Sequence, residues 1–524
     1  MGKYILRRVL FALFSLLVVV MTVMLLVYSL IDRRVIFMAD DVWNKRSNNE
    51  QAYYEYVQFQ KYGYLEFVNY TNFLAQKYQA IYGDSYTKEK SFNTDRDAVQ
   101  YENWRENASV QEFISTYEAK GYKVTYLEPI RYKDGRLKSG GTGFLLMTRE
   151  RSVFLRLWDY LKGLITVETV RDVKDPELTD RYIRIEKDPY NGFFALVGSG
   201  TTHKYLVYFD GRFPFMHWHW IHINLGVSFT KYRDQEITSV ITTPTGNLAT
   251  RLTQYPAFVG TDRYDETAID FYSLTYNNGN LTDQEKELYP DKYTVGKYKR
   301  DGFSMLENSF VIGIIATIIA YMVGLPLGVI NARNKDKLAD KIGMGYIIFT
   351  LSVPALAYIF LFSAIGTKVF NLPYTFANAQ VKILAYILPV ASLAVREIAG
   401  LMMWMRRFMI DQMNSDYVKF ARAEGLSERE IFGKHISRNA VIPIVHGIPG
   451  SILACLVGAI ITERVYSVPG VGNLLTTAIN GHDNGIIVAC AMFYTSLSVI
   501  SVILGDLLMA KFDPRISFTT KGGR

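Results

Sequence analysis

Residues 417–443 read YVKFARAEGLSEREIFGKHISRNAVIP and form a basic connection, with a sharp break in it, between two long apolar stretches. The run 405–424 predicts a helix, and Gly425 suits the left-handed backbone position at which helices commonly end. Ser427 followed three residues later by Glu430 is a capping box, which predicts that a second, short helix begins at once. The segment is therefore expected to be two helical arms joined by a tight turn.

Three of the apolar side chains on this connection are singled out, because the connection should be solvated if the flanking stretches cross a membrane. They are Leu426, Ile431 and Phe432. Apolar residues grouped in this way usually contact another surface, so we expect them to need a partner. The alternative is an ordinary cytoplasmic loop between two helices.

The segment resembles the EAA loop of ABC importer permeases, the element that docks into a groove on the ATPase subunit. Ala421, Ala423 and Gly425 match the oligopeptide and dipeptide version of that loop. The general pattern has Ile-x-Leu-Pro after the glycine, whereas here His435 falls in that stretch and the proline comes later, at Pro443. This departure is normal for the first permease subunit of peptide importers. The resemblance implies an ATPase-coupling role for Ala421, Arg422, Ala423, Glu424, Gly425, Leu426, Ser427, Glu430, Ile431, Phe432 and His435.

Long apolar runs predict a membrane protein with a large polar part. Hydrophobic residues make up 49% of the chain, yet the mean hydropathy is only +0.05, because the apolar runs are segregated from a polar block. A helix of about 20 apolar residues spans a bilayer. Six stretches qualify, at 9–31, 309–330, 342–362, 381–404, 444–461 and 485–508.

The net charge of +8 is concentrated beside these stretches. In a soluble protein it would suggest nucleic acid, but here the positive-inside rule explains it and no nucleic acid is expected. Six spans bring all of these groups to the cytoplasmic side, with both termini. The residues are Lys3, Arg7, Arg8, Arg333, Lys335, Lys337, Lys341, Arg406, Arg407, Lys419, Arg422, Arg429, Lys434, Arg438, Lys511, Arg515, Lys521 and Arg524.

Residues 1–32 predict an uncleaved membrane anchor. The apolar run is longer than that of a signal peptide, and Asp32, Arg33 and Arg34 offer no small-residue cleavage site. The anchor leads the chain outward.

Residues 33–302 must then form an extracytoplasmic domain, and about 270 residues can bury a core. The patterning predicts an α+β domain, with helices at 51–81, 109–120 and 152–164 and strands at 122–127, 181–185 and 204–209. The domain contains no cysteine, and Cys455 and Cys490 lie inside predicted spans. An outer domain of this size without disulfides fits the Gram-positive surface.

The resemblance to oligopeptide permeases extends over residues 303–517, where its matching segments are Leu325-Pro326-Leu327-Gly328, Ser352-Val353-Pro354, the run ERVYSVPGVG at 463–472, and Asp513-Pro514-Arg515. A further match, Leu225-Gly226-Val227-Ser228, resembles the segment that follows the first span and is displaced here by a long insertion. It implies six transmembrane helices of the ABC type I importer permease fold, with the α+β domain inserted between helices 1 and 2. The large outer domain narrows the likeness to the Ami/Opp permeases of streptococci and their relatives.

Five residues, four within the predicted spans and Glu463 just after the fifth span, are candidates for the translocation path. Pro354 and Pro389 are expected to bend helices around a central cavity, although proline is common in membrane helices. Arg396 and Glu397 form a charged pair that is costly in lipid and should face the bundle interior. The alternatives are contact with peptide termini or a gate, and a structural ion pair that could also include Glu463.

Four of the seven histidines lie at His203, His217, His219 and His222. On a strand, His217 and His219 would share a face, as zinc ligands can. There is no nearby cysteine and no obvious carboxylate partner, so we expect no metal. The neighbouring Phe213, Phe215, Trp218 and Trp220 indicate an aromatic belt at the membrane interface.

The chain has no G-x-x-x-x-G-K-[ST] motif, no G-x-S-x-G elbow and no H-E-x-x-H motif. We therefore expect no catalytic residue and no bound cofactor, with ATP and magnesium used by other subunits. The resemblance implies a second six-helix permease in a heterodimer, two ATPases, a peptide-binding lipoprotein outside the cell, and oligopeptide as the substrate. Two alternatives stay open: a membrane-anchored surface enzyme, and a peptide-sensing receptor.

Overall fold

The computed structural model describes residues 2–30, 33–173, 175, 177–188, 191–211, 215–247, 251–254, 264–267, 272, 274–295 and 300–512. Some residues singled out above lie outside these ranges, namely Asp32, Phe213, Asp513, Pro514, Arg515, Lys521 and Arg524. Within the described ranges, five helices are long and apolar enough to cross a membrane, or six if one bent pair is counted as a span. The chain is a multi-pass helical membrane protein with a mixed helix and strand region between its first two long helices.

In the described residues up to 288, one helix is long and eight are shorter. They are α1 (Gly2–Leu30), α2 (Asp41–Asn44), α3 (Asn48–Lys61), α4 (Tyr70–Tyr82), α5 (Lys90–Asp97), α6 (Ala108–Glu118), α7 (Val153–Gly163), α8 (Ile237–Thr242) and α9 (Asp283–Leu288). Short 3-10 helices occupy Arg33–Ala39, Gly83–Lys88, Ala98–Gln100 and Trp104–Glu106. The single helix predicted over 51–81 is wrong, because Gly63 turns the chain with a φ of +69° and a strand follows. The helices predicted at 109–120 and 152–164 agree with α6 and α7 to within two residues.

The strands of this region form small antiparallel sheets. They are β1 (Leu65–Asn69), β2 (Lys123–Leu127), β3 (Phe144–Glu150), β4 (Ile165–Val167), β5 (Ile183–Lys187), β6 (Phe194–Gly198), β7 (Tyr205–Phe209), β8 (Met216–Trp218), β9 (Ile221–Ile223), β10 (Arg251–Gln254), β11 (Tyr264–Thr267), β12 (Leu274–Tyr276) and β13 (Tyr293–Val295). Their orders are β1-β3-β2, β5-β6-β7-β8, and the pairs β4-β9, β10-β11 and β12-β13. The three predicted strands correspond to β2, β5 and β7, each displaced by one or two residues.

Helices dominate the remainder of the chain. They are α10 (Met305–Arg333), α11 (Leu338–Ser352), α12 (Ala355–Phe370), α13 (Ile387–Met413), α14 (Asp416–Ala423), α15 (Glu428–Glu430), α16 (Ser437–Tyr466), α17 (Val471–Asn480) and α18 (Asn484–Phe512). A 3-10 helix at Lys382–Tyr386 precedes α13, and a π-helical turn at Ile431–Ile436 joins α15 to α16.

The third predicted span, 342–362, is not one straight helix. It is broken between α11 and α12, which meet at an angle of 107°. Pro354 cannot donate a backbone hydrogen bond and disfavours helical geometry in the residue before it. Val353 accordingly has an extended ψ of 132°, and the new helix starts after the proline.

The bent pair still runs from one end of the bundle to the other. Near its start, Asp340 accepts hydrogen bonds of 2.6 and 2.7 Å from Arg406, close to the end of α13. Beyond its end, the Phe376 N–H donates to the carbonyl oxygen of Tyr466 at 3.0 Å, where α16 ends. We call the end that carries residues 417–443 the inner end, and the opposite end the outer end.

The mixed region is attached at the outer end. The buried Ser228 hydroxyl donates to Asp483 at 2.7 Å, just before α18. Asn484, the first residue of α18, donates to the Tyr64 hydroxyl at 3.0 Å. The segment 225–228 therefore lies against the start of the last span although more than 250 residues separate them in sequence.

Candidate functional site

Residues 417–443 begin beyond a break that separates them from the α13 span. Helix α13 ends at Met413 and α14 begins at Asp416, so the prediction of one helix over 405–424 is wrong. The Ser415 hydroxyl donates to the Gln412 carbonyl at 2.6 Å, a local bond of the kind that competes with helical hydrogen bonding. Helix α14 is therefore a separate, short arm.

The turn at Gly425 is formed as the sequence predicts. Its φ is +81°, in the left-handed region. The Leu426 N–H donates to the Ala421 carbonyl at 3.2 Å, and the Gly425 N–H donates to the Arg422 carbonyl at 3.0 Å. This pair of bonds is the Schellman motif that closes a helix, so α14 ends in a defined turn.

The second arm begins at the predicted capping box. The Ser427 hydroxyl accepts the Glu430 N–H, and the Glu430 side chain accepts the Ser427 N–H. The expectation of a separate short helix is wrong, because α15 passes through the π turn into α16 without interruption. An ion pair of 3.0 Å between Arg422 and Glu428 joins the two arms.

The base of this hairpin is buried within the chain itself. Ile431 is fully buried, in one cluster with Met405, Met409 and Val418. The expectation that Ile431 contacts a separate partner is therefore wrong. Leu426 and Phe432 are half-buried against the same cluster.

Many other residues of the hairpin are exposed, and we call seven of them the coupling rim. It consists of Phe420, Arg422, Ala423, Glu424, Gly425, Ser427 and Glu430, whereas Ala421 is buried and His435 is half-buried. Phe420 is 71% exposed and was missed by the sequence reasoning. Its position on the helix could have identified it, because Val418 and Ala421 lie on the buried face of α14 and Phe420 lies on a different face.

Glu463 lies at the outer end and is bonded within this chain. Its side chain is fully buried and accepts the Ser309 hydroxyl at 2.7 Å and the Asn473 N–H at 2.9 Å. Ser309 also accepts the Val471 N–H at 2.9 Å. The carboxyl group thus joins α10, α16 and the start of α17, which removes Glu463 from the candidates for a translocation path and for an ion pair with Arg396.

Two glycines of the 463–472 run make room for this carboxyl group. A Cβ atom added at Gly470 would overlap the Glu463 carboxyl group. At Gly472 it would lie 2.5 Å from the Ile460 Cα and 3.0 Å from Glu463 Oε2. The run therefore encodes a close approach between the end of α16 and the turn that follows it.

The remaining path candidates occupy different environments. Pro354 is exposed at the bend between α11 and α12, as predicted, and its contact with substrate stays a prediction. Pro389 is buried in the first turn of α13, where proline is tolerated, so the expected bend there is wrong.

Arg396 and Glu397 do not point the same way. Arg396 is exposed on the surface of the chain and Glu397 is half-buried. Arg396 therefore does not face the interior of this chain, and its contact with peptide termini or a gate stays a prediction.

Three of these four histidines pair with a carboxylate, and three lie together: the ring centroids of His203 and His219 are 4.4 Å apart, and His217 and His219 both stack on Tyr208. His203 contacts Glu168 at 2.7 Å, His217 contacts Asp210 at 2.8 Å and His222 contacts Glu236 at 2.6 Å. Glu168 is 35 residues from His203 and could not be found from the sequence, whereas Asp210 is only seven residues from His217, so the expectation of no carboxylate partner is wrong. In the part of the chain that the structure describes, no group of three potential ligands could hold a metal ion.

Comparison with known proteins links these features to transport. Residues 324–518 match the family described as the binding-protein-dependent transport system inner membrane component. The chain is 33% identical to the oligopeptide transport system permease protein AmiC of Streptococcus pneumoniae, with 100% of both chains covered. It is 31% identical to the dipeptide transport system permease protein DppB of Bacillus subtilis, over 41% of this chain and 69% of that protein.

A solved structure gives a weaker likeness. It is described as an amino acid ABC transporter with histidines, and it is 18% identical, with a TM-score of 0.32, over 40% of this chain and 92% of that one.

Proposed function

The chain belongs to the oligopeptide permease subunits of ABC transporters, of the Ami type, and on that premise we propose that it forms one half of a peptide translocation path driven through residues 417–443. In these transporters ATP hydrolysis is carried out by separate subunits, so this chain is a transporter component and not an enzyme. ATP and magnesium are used by two partner ATPases.

The observation that carries this proposal is the contrast between the base and the rim of the 417–443 hairpin. Ile431 and Ile436 are buried among residues of the spans, so the hairpin moves with α13 and α16 as one body. The coupling rim is exposed at the inner end, with a Schellman turn at its tip. A rigid base with an exposed tip suits an element that transmits a conformational change of a soluble ATPase to the membrane spans.

Six crossings with both termini in the cytoplasm fit the distribution of charge. The inner end carries the basic residues of 333–341 and 406–438, and the positive-inside rule assigns such an end to the cytoplasm. The bent α11–α12 pair counts as one crossing because it starts beside Arg406 and ends near Tyr466. Residues 33–302 are then extracellular, between helices 1 and 2.

The other proposed partners are a second permease subunit and a peptide-binding lipoprotein; the first is supported by an exposed charged residue and the second by the similarity to oligopeptide permeases. Arg396 is a charged, exposed residue within a span, and such residues avoid lipid. It suits a surface covered by a second permease or lining a wet path. A peptide-binding lipoprotein would deliver oligopeptide to the outer end, and ATP-driven closure of the ATPases would favour the inward-open state.

A pair of glycine substitutions tests the coupling role. Gly425→Val places a β-branched residue at a φ of +81° although the space around its Cβ is empty, so only backbone strain acts. Gly433→Val is the matched control, because Gly433 is exposed and helical with equally empty space. We expect Gly425→Val to abolish uptake of a labelled peptide by the complete transporter while membrane levels persist.

The control should retain both uptake and membrane levels. Normal uptake with Gly425→Val, or equal loss with both variants, would contradict a coupling role for this turn.

A further inference from the structure

Helix α7 of the 33–302 region packs beside the membrane spans. Leu157 of α7 and Leu164, the residue directly after it, share one buried cluster with Val20 and Met24 of α1 and Met492 of α18. The buried face of α7, a helix that the sequence analysis assigned to the extracytoplasmic domain, is thus covered by two membrane-spanning helices.

The depth of this contact can be read from the spans. Val20 precedes Tyr28, the last residue of the first apolar span, by eight positions, or roughly 12 Å of helix. Met492 follows Asn484, the first residue of α18, by the same distance, and the Tyr160 hydroxyl lies 3.6 Å from its sulfur. Half of a bilayer's hydrocarbon core is about 15 Å thick. Part of α7 therefore lies at the level of the acyl chains.

The opposite face of α7 is exposed and mostly apolar. Phe154 is 68% exposed, Leu155 is 54% exposed and Trp158 is 65% exposed. Two charged residues border them: Asp159, which forms an ion pair with Arg151, and Lys162, whose long side chain can extend its charge toward the headgroups. Trp, Phe and Leu flanked by charged residues are typical of helices that lie in a membrane interface.

A pair of strands continues the apolar surface directly after α7. Strand β4 pairs with β9 so that Ile165 lies opposite Ile223, and Val167 lies opposite Ile221. These four side chains share one face of the ladder and are all exposed.

Arg156 fixes the position of α7. Its guanidinium lies 3.7 Å from the ring centroid of Tyr28 and 3.8 Å from that of Tyr64, and the side chain is buried. Tyr28 ends the first span, so this contact attaches the helix to the spans at the membrane boundary.

We propose that α7 is a monotopic membrane helix whose Phe154, Leu155 and Trp158 insert among bilayer lipids. The occupant of this face is lipid because the face is continuous with the spans on either side and lies at their depth. On the topology proposed above the leaflet is the outer one, but lipid contact itself depends only on α1 and α18 being spans.

Site-directed fluorescence in lipid nanodiscs tests this. The two native cysteines, Cys455 and Cys490, are buried, so a thiol-reactive, environment-sensitive dye goes to an introduced cysteine. Leu155→Cys reports on α7. Ile81→Cys is the matched control, an aliphatic position 62% exposed on α4, which packs on β1, β3, α5 and α6.

For Leu155→Cys in the full chain we expect blue-shifted emission, protection from aqueous iodide, and stronger quenching by a lipid nitroxide near the headgroup than by one near the chain end. Ile81→Cys should be quenched by iodide and not by either lipid. Iodide access at Leu155→Cys would overturn the proposal. Protection from iodide without lipid quenching would also overturn it, because a protein would then cover α7.

Discussion

The Glu463 network predicts a local effect of removing one hydroxyl group. Ser309→Ala deletes the donor to Glu463 at 2.7 Å and the acceptor of the Val471 N–H at 2.9 Å. All three groups are buried, so water cannot replace the lost bonds. The missing bond and the orphaned N–H each cost about 1.5 kcal/mol, or about 3 kcal/mol together.

Hydrogen exchange followed by mass spectrometry measures this cost where it arises. At 1.4 kcal/mol per factor of ten, exchange at the amides of Val471 and Asn473 should accelerate by about 100-fold. The control is Thr495→Val, which removes a hydroxyl that bonds only its own helix, at the Ala491 carbonyl. It should leave exchange at 471–473 unchanged.

Two results would refute the reasoning. One is unchanged exchange at 471–473 in Ser309→Ala. The other is equal acceleration in every span, since that would indicate global loosening instead of a severed link between α10 and α17.

Two further substitutions probe the same two ends of the bundle. Gly470→Ala should lower the temperature at which the purified chain loses its monodisperse elution, because the added Cβ would overlap Glu463 and such overpacking costs about 1–3 kcal/mol. The control Gly447→Ala, whose Cβ would have no neighbour within 4 Å, should leave that temperature unchanged, and equal effects of the two variants would contradict the close approach. Phe420→Ser should weaken co-purification of the ATPases without loss of the folded chain, because Phe420 is an exposed aromatic residue of the coupling rim. The control Phe370→Ser, at an exposed position on α12, should not affect co-purification. Unchanged co-purification with Phe420→Ser would exclude Phe420 from the contact with the ATPases.

Features set by neighbouring residues could be predicted from the sequence. The Gly425 turn and the Ser427–Glu430 capping box each depend on a few consecutive residues, and both are present. The membrane-spanning stretches could also be predicted, because a span is recognised by the hydropathy of about 20 consecutive residues.

Features set by distant contacts could not be predicted. Ile431 looked like a residue in need of another protein because its cover, Met405 and Met409, comes from a different helix. Glu463 looked like a path residue because its partner Ser309 is 154 residues away. A bend at Pro354 could be predicted from the proline, but its angle of 107° could not, because the packing of α11 and α12 determines the angle.

One helical run, Glu428–Tyr466, extends from the coupling rim to the Glu463 network, 39 residues or roughly 58 Å. Its stiffness is uneven. The π turn at 431–436 and the prolines at Pro443 and Pro449 all interrupt the regular hydrogen-bond ladder before residue 450. The remaining part, 450–466, has no proline and is held by the hydrogen bonds of Glu463. We therefore expect a displacement applied at the rim to bend this run at Pro443 and Pro449, beyond the buried base of the hairpin, more readily than between residue 450 and Glu463.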